Sequence, residues 1–138
     1  MPPDLLVEVA QAWLVKARGD LAIAEVAIGA AHVPGWPIGF HCQQAVEKCV
    51  KACLVLAGIK PPTSHILKDL AQLAGPGEGD FPLTADDMAA LQPYAVAERY
   101  PYVAARDSTG EDVRPLLEMA QRTWAWAEGR VSAAARPR

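Results

Sequence analysis

The stretch FHCQQAVEKCVKACLVLAG, residues 40–58, decides how the chain folds. It contains no proline, and its first glycine is the closing Gly58, so we predict one long helix with a glycine C-cap. At about 100° per residue, its side chains separate into two unlike faces. One face is continuously apolar and uncharged; it consists of Cys42, Ala45, Val46, Cys49, Val50, Ala52, Cys53, Leu56 and Ala57.

The opposite face of this helix mixes amides, charges and large apolar side chains. We call it the mixed face; its residues are Phe40, His41, Gln43, Gln44, Glu47, Lys48, Lys51, Leu54 and Val55. Such a mixture suits a subunit interface or a polar cleft better than open water. On a monomer, Phe40, Leu54 and Val55 would form an exposed apolar patch, so we expect the chain to form a homodimer.

Helical periodicity continues on both sides of this stretch. Apolar residues three and four apart predict long helices near residues 4–31 and 111–131, beside the central one at 38–57. Shorter helices are predicted from about Ile66 and, because Thr84 is followed by two aspartates, from Thr84. The expected architecture is all-α, an antiparallel up-and-down bundle of about five helices in one domain, 1–138. The expected core includes Trp13, Leu21, Val46, Cys49, Cys53, Leu70, Leu116 and Trp124.

Composition narrows the function classes. The net charge of −3 argues against a protein that coats nucleic acid electrostatically, although residues 99–138 carry seven arginines against five acids. The three cysteines all lie on the apolar face of the central helix, which predicts reduced, buried thiols and no metal site. No apolar run reaches the ~18 residues of a membrane span, so we expect a cytoplasmic protein that does not contact membranes.

Three motifs in order resemble the HEPN domain, the "higher eukaryotes and prokaryotes nucleotide-binding" family. They are Trp-x-x-x-Ala-x-x-Asp-Leu, then His-x-x-Gln-x-Ala-x-Glu-Lys-x-x-Lys-Ala on the central helix, then Arg-Tyr-Pro. The matching residues are Trp13, Ala17, Asp20, Leu21, His41, Gln44, Ala45, Glu47, Lys48, Lys51, Ala52, His65, Leu67, Leu70, Arg99, Tyr100 and Pro101. The resemblance implies a helical bundle, a nucleotide ligand, and a minimal nucleotidyltransferase as partner in a toxin–antitoxin-like pair.

Catalytic residues are not predicted. Family members that cut RNA use an arginine and a histidine a few residues apart, and this chain has histidines only at His32, His41 and His65, none on the last helix. We therefore assign no catalytic residue, no cofactor and no metal ligand, and we expect His65 to complete a helix cap with Ser64. An RNA-cleaving toxin with a different constellation, or a purely structural dimeric module, stays open as an alternative.

Cationic and aromatic residues suggest an anion site instead. Lys48 and Lys51 lie on the mixed face with Gln44 one turn away, and the loop before the last helix carries further candidates. Cations hold phosphate and aromatic planes stack on bases, so we expect a nucleotide or phosphate ligand, with RNA not favoured. The candidate ligand-binding residues are Gln44, Lys48, Lys51, Arg99, Tyr102 and Arg106. A structural salt bridge between Glu47 and Lys51, four residues apart, is the competing interpretation.

Overall fold

The computed structural model describes residues 1–74, 80–96 and 109–136. Within these ranges the chain forms five α-helices and one 3-10 helix, and no strand, which confirms the predicted all-α bundle. The α-helices are α1 (Pro3–Ala27), α2 (Gly35–Leu56), α3 (Leu67–Leu73), α4 (Ala85–Leu91) and α5 (Gly110–Ala135), and the 3-10 helix is Gln92–Ala95. No helix in the described ranges is long and apolar enough to cross a membrane.

Helix α2 is the centre of the bundle and packs against both α1 and α5. Side-chain contacts join Trp13 to Lys51 and Asp20 to His41, so α1 runs antiparallel to α2. Glu25 contacts Gln121 and Arg18 contacts Trp124, so α1 also runs antiparallel to α5. The short helices α3 and α4 carry the chain back across the bundle, so that α5 enters parallel to α2.

The predicted glycine cap closes α2. Gly58 has φ of 77°, a left-handed conformation that costs other residues more than glycine. Its N–H donates to the carbonyl of Val55 at 2.9 Å, and the N–H of Ile59 donates to the carbonyl of Leu54 at 2.9 Å. These two bonds form a Schellman motif, and Ile59 packs near Leu54 as that motif favours. Local sequence therefore determines where the central helix ends.

Two helices begin with capping boxes. The hydroxyl of Thr84 accepts from the N–H of Asp87, whose carboxylate accepts from the N–H of Thr84, which confirms the predicted start of α4. Thr109 and Asp112 form the same arrangement at α5. The bond from Thr109 lowers the pKa of the Asp112 carboxyl below its ordinary value. Each box satisfies backbone donors that have no partner inside the helix.

Most of the expected core is buried, with two corrections. The residues confirmed as buried are Leu21, Val46, Cys49, Cys53, Leu70 and Leu116. Trp13 and Trp124 are only half-buried, because each lies at the edge of the α1–α2 or α1–α5 contact. All three cysteines are reduced and buried.

The expected apolar patch on the mixed face is wrong. Leu54 is 0% exposed and Val55 is 6% exposed within a single chain. Leu54 packs in a cluster with Val50 and Leu70, and Val55 packs in the cluster that α1 shares with α5. Helix α3 and the residues after Gly58 cover this end of α2, and sequence periodicity within α2 gave no sign of that cover. The argument for a homodimer from this patch therefore fails.

Two helix-interior glycines give opposite predictions. A Cβ added at Gly39 would lie 2.2 Å from the ring of Tyr94, whereas one added at Gly19 would meet nothing within 4 Å. We expect Gly39→Ala to lower the free energy of unfolding by about 1–3 kcal/mol through overpacking. We expect Gly19→Ala to raise it by about 0.5–1 kcal/mol through helix propensity. Urea unfolding of both variants tests this, and equal effects would contradict it.

Candidate functional site

Asp20 is the first of two buried carboxylates on the polar side of α2. Its Oδ1 atom lies 2.8 Å from Nδ1 of His41, and its Oδ2 atom accepts a hydrogen bond from Nζ of Lys48. The Asp20 side chain is 10% exposed, so this carboxylate of α1 is satisfied mainly by two groups of α2. Asp20 is therefore paired with groups of α2 and does not face solvent.

Glu47 is the second carboxylate, and its partners have the same chemistry. Its Oε2 atom lies 3.1 Å from Nζ of Lys51, and its Oε1 atom lies 3.0 Å from Nδ1 of His65. The Glu47 side chain is 3% exposed. Asp20 and Glu47 therefore each bridge one lysine and one histidine. The predicted salt bridge between Glu47 and Lys51 is present, within one chain.

Two amides extend the hydrogen-bond network of Glu47. Gln43, which is fully buried, donates from Nε2 to Oε1 of Glu47 at 3.4 Å. Gln44 donates to Oε1 of Gln43 at 2.7 Å, and it lies one turn from both His41 and Lys48 on α2. The groups around Asp20 and Glu47 thus lie next to each other along α2, and together we call them the polar cluster. Its residues are Asp20, His41, Gln43, Gln44, Glu47, Lys48, Lys51 and His65.

An apolar cavity adjoins the polar cluster through Trp13. The cavity has a volume of about 420 Å³ and its walls are mainly apolar. It is lined by Met1, Leu6, Val9, Trp13, Val55, Gly58, Ile59, Lys60 and Pro61. The ammonium group of Lys51 lies 5.5 Å from the centre of the Trp13 ring, a cation–π contact. Trp13 is therefore shared between a charged site and an apolar one.

Thiol and metal chemistry find no support in the described residues. Burial raises the pKa of the Cys42 thiol to about 12 and also raises the pKa of Cys49, so thiolate is scarce at neutral pH. Within the described ranges, no group of three or more histidine, cysteine or acidic residues is placed to hold a metal ion. The reactive groups available at this surface are the imidazoles and ammonium groups.

The structure brings together part of the predicted ligand site. Gln44, Lys48 and Lys51 all belong to the polar cluster, but both lysines are paired with buried carboxylates. The other three predicted residues, Arg99, Tyr102 and Arg106, lie outside the described residues.

Five members of the polar cluster were not among the predicted ligand-binding residues: Asp20, His41, Gln43, Glu47 and His65. The expectation that His65 completes a helix cap is wrong for its side chain, which binds Glu47; the Ser64 hydroxyl accepts from the N–H of Ile66 at 3.2 Å. His41 carried a usable signal, because it lies one turn before Gln44 and two turns before Lys48 on α2. His65 carried none, since it approaches Glu47 from a separate segment.

Comparison with known proteins agrees with this architecture. A model of the HEPN domain matches residues 10–130. TT1696 from Thermus thermophilus is similar in structure, with a TM-score of 0.70, 29% identity, and coverage of 88% of this chain and 97% of that one. ST0689, described as an archaeal HEPN homologue, has a TM-score of 0.67, 24% identity and the same two coverages. Curated proteins gave no significant match. Because the family model covers most of the chain, this protein belongs to the HEPN domain family.

Proposed function

We propose that the polar cluster binds a nucleotide or another phosphate-bearing ligand and does not turn it over. The observation that supports this most directly is the position of Trp13, which lines the apolar cavity and also contacts Lys51. A phosphate needs cationic donors and a base needs an apolar or aromatic surface, and here the two surfaces adjoin. Membership of the HEPN family supports the same ligand class.

The ligand site is proposed to combine described residues with residues of the segment that precedes α5 in the sequence. Gln44, Lys48 and Lys51 would contact the phosphate-bearing end, and Arg99, Tyr102 and Arg106 are proposed to complete the site. Guanidinium groups bind phosphate bidentately, and a tyrosine ring offers a stacking plane. No catalytic role is proposed for any of them, because the arginine–histidine couple of RNA-cutting relatives is missing from the last helix.

Removing one cation tests the ligand site. We expect Lys48→Met to weaken ATP or GTP binding roughly tenfold or more, because a charge-assisted contact is lost. Lys16→Met, which removes the same charge from an exposed position on α1, is the matched control and is expected to leave binding unchanged. Calorimetry measures both affinities after circular dichroism has shown that each variant is folded. No binding of ATP, GTP or short RNA, or an equal loss in the control, would contradict the proposal.

RNA cleavage is the second candidate function, and one observation favours it. The Nδ1 atoms of His41 and His65 each face a carboxylate, an arrangement that can orient imidazoles for proton transfer. Cleavage without a metal ion would need such groups beside the ammonium of Lys48 or Lys51. Incubation with RNA in EDTA tests this candidate: cleavage that disappears in His41→Asn and His65→Asn would establish it and overturn the non-catalytic proposal.

We also propose a homodimer, through a different surface from the one first expected. Val15, Ile23 and Val26 on α1 are 71%, 51% and 80% exposed, and they lie on one side of the helix. The small, exposed Ala22 lies between them, so that another helix could approach closely. An exposed apolar helix face of this kind is typical of a protein interface. The minimal nucleotidyltransferase partner in a toxin–antitoxin-like pair rests on family membership alone; a neighbouring gene encoding one would support it.

The dimer has a direct test. Light scattering at micromolar concentration should give about twice the 14.7 kDa mass of the chain. Val26→Glu should give a monomer, since it places a charge in the proposed contact. Leu73→Glu, on the exposed side of α3, is the control and should remain dimeric. A particle of 14.7 kDa for the unaltered chain would show that the proposal is wrong.

A further inference from the structure

We propose that His41 and His65 are ligand-binding groups of the polar cluster, and that a phosphate-bearing ligand binds there together with protons taken up by these imidazoles. The inference rests on the proposed function, because it concerns how the same site is regulated. It assigns ligand contacts to two residues that were not among the ligand-binding residues expected from the sequence. It also makes affinity depend on pH in a direction that can be calculated.

The charges of the polar cluster cancel when its histidines are neutral. Asp20 and Glu47 supply two carboxylates, and Lys48 and Lys51 supply two ammonium groups. An approaching phosphate would therefore meet a neutral cluster, in which buried carboxylates compete with it for the same lysine donors. Each carboxylate repels the phosphate from nearly the same place at which its ammonium partner attracts it. A neutral cluster therefore binds phosphate only weakly.

Protonation of the histidines changes this balance without displacing any side chain. An ionised carboxylate only accepts hydrogen bonds, so Nδ1 of His41 and of His65 carries a proton towards its carboxylate. The other nitrogen, Nε2, accepts when the ring is neutral and donates when the ring is charged. Histidine is the side chain that ordinarily changes charge between about pH 5 and 8. Two protonated imidazoles give the cluster an excess of positive charge and two new donors.

Exposure shows that the imidazoles can meet a ligand. The side chain of His65 is 67% exposed and that of His41 is 27% exposed, whereas that of Lys51 is 9% exposed. An arriving phosphate therefore reaches His65 more readily than it reaches the lysine that shares Glu47. The carboxylates behind the rings hold the Nδ1 atoms, so the Nε2 atoms are the ones proposed to contact the ligand.

The ring of His41 has charged and aromatic neighbours on α1 and α2. Among the described residues, His41 has one charged group in contact, the carboxylate of Asp20 on α1. Lys48 of α2 shares this carboxylate. The ring of Phe40 packs edge-on at a centroid distance of 5.3 Å. His41 thus holds its Nδ1 atom against a carboxylate, and its Nε2 atom is the one proposed to contact a ligand.

His65 has a parallel environment. Its side chain contacts Glu47, which Lys51 shares, and its backbone carbonyl accepts from Nε2 of Gln92 at 2.9 Å. The bond from Gln92, in the 3-10 helix, holds the backbone of His65 so that the ring stays beside Glu47. Each imidazole is therefore positioned before a ligand arrives. Its protonation state decides whether its Nε2 atom can donate a hydrogen bond to the ligand.

Calorimetric titration with ATP between pH 6 and 8 tests the proposal. Each proton taken up with the ligand strengthens binding by up to about tenfold per pH unit, so we expect affinity roughly 10- to 100-fold higher at pH 6 than at pH 8. ATP itself loses negative charge as its terminal phosphate is protonated near pH 6, which alone would weaken binding. Titrations in two buffers of different ionisation enthalpy measure the number of protons taken up.

Asparagine variants show whether the pH dependence comes from the histidines or from protonation of ATP. Asparagine keeps an N–H donor for the carboxylate but cannot become charged. His41→Asn combined with His65→Asn should remove most of the pH dependence, to within about threefold across the range, and lower the measured proton uptake. His32→Asn is the matched control, since His32 is exposed and lies between α1 and α2, outside the polar cluster. It should behave as the unaltered chain does.

The outcomes are distinguishable. Binding that is independent of pH, or a pH dependence that survives in the double variant, would overturn the proton linkage and leave phosphate binding intact. Failure of ATP to bind at any pH would instead show that the proposed ligand class is wrong, and the linkage would fall with it.

Discussion

Replacing Glu47 with alanine is expected to lower the free energy of unfolding by about 3–5 kcal/mol, because it leaves a buried ammonium group without its counter-charge. Lys51 is only 9% exposed and has its ion-pair partner in Glu47. The variant also removes the acceptor that orients His65 and Gln43. Urea unfolding at pH 7.5 measures the change.

Two further variants determine the origin of this loss. Adding Lys51→Met to Glu47→Ala should restore much of the stability, because the unpaired buried charge is gone. Glu25→Ala, which removes one member of an exposed pair with Arg18, should cost only about 0–1 kcal/mol. If Glu47→Ala cost no more than Glu25→Ala, the polar cluster would not be a buried network.

Leu54→Ala is expected to lower the free energy of unfolding by about 2–5 kcal/mol, since it opens a cavity in a packed cluster. Leu54 is 0% exposed, whereas Leu73 is 47% exposed. Leu73→Ala is therefore the matched control, with an expected change within about 0.5 kcal/mol.

Repeating the Leu54→Ala measurement over a range of protein concentrations shows whether Leu54 belongs to the core of one chain or to a dimer interface. A residue of the monomer core lowers stability by the same amount at every concentration, whereas a residue of a dimer interface acts through association. A loss that grew on dilution would place Leu54 in a subunit contact after all. A small loss at every concentration would contradict its place in the core.

Stretches whose signals are local could be predicted well from the sequence. Gly58 marks the end of α2 because a left-handed residue is needed there, whatever the rest of the chain does. Thr84 begins α4 because its hydroxyl and the carboxylate of Asp87 satisfy backbone donors within four residues. The apolar face of α2 follows from periodicity alone, and a bundle is the simplest way to bury it.

The candidate site was only partly accessible to such reasoning. Gln44, Lys48 and Lys51 could be grouped because they share one side of a single helix. The pairing of Lys51 with Glu47 could be predicted from their spacing on α2, whereas the pairing of Lys48 with Asp20 could not, since Asp20 comes from α1, 28 residues before Lys48. A cationic patch in the sequence is therefore a charge-balanced network in the structure.

What the sequence by itself determined is the all-α class, the course of α2 with its glycine stop, and the capped start of α4, because each depends on residues within one or two turns. Only the tertiary structure decided that Leu54 and Val55 belong to the core: Leu54 packs with Leu70 of α3, and Val55 packs in the cluster that α1 shares with α5. It likewise decided that His65 binds Glu47, 18 residues away. Contacts at such separations depend on how the helices pack, and no local pattern records them.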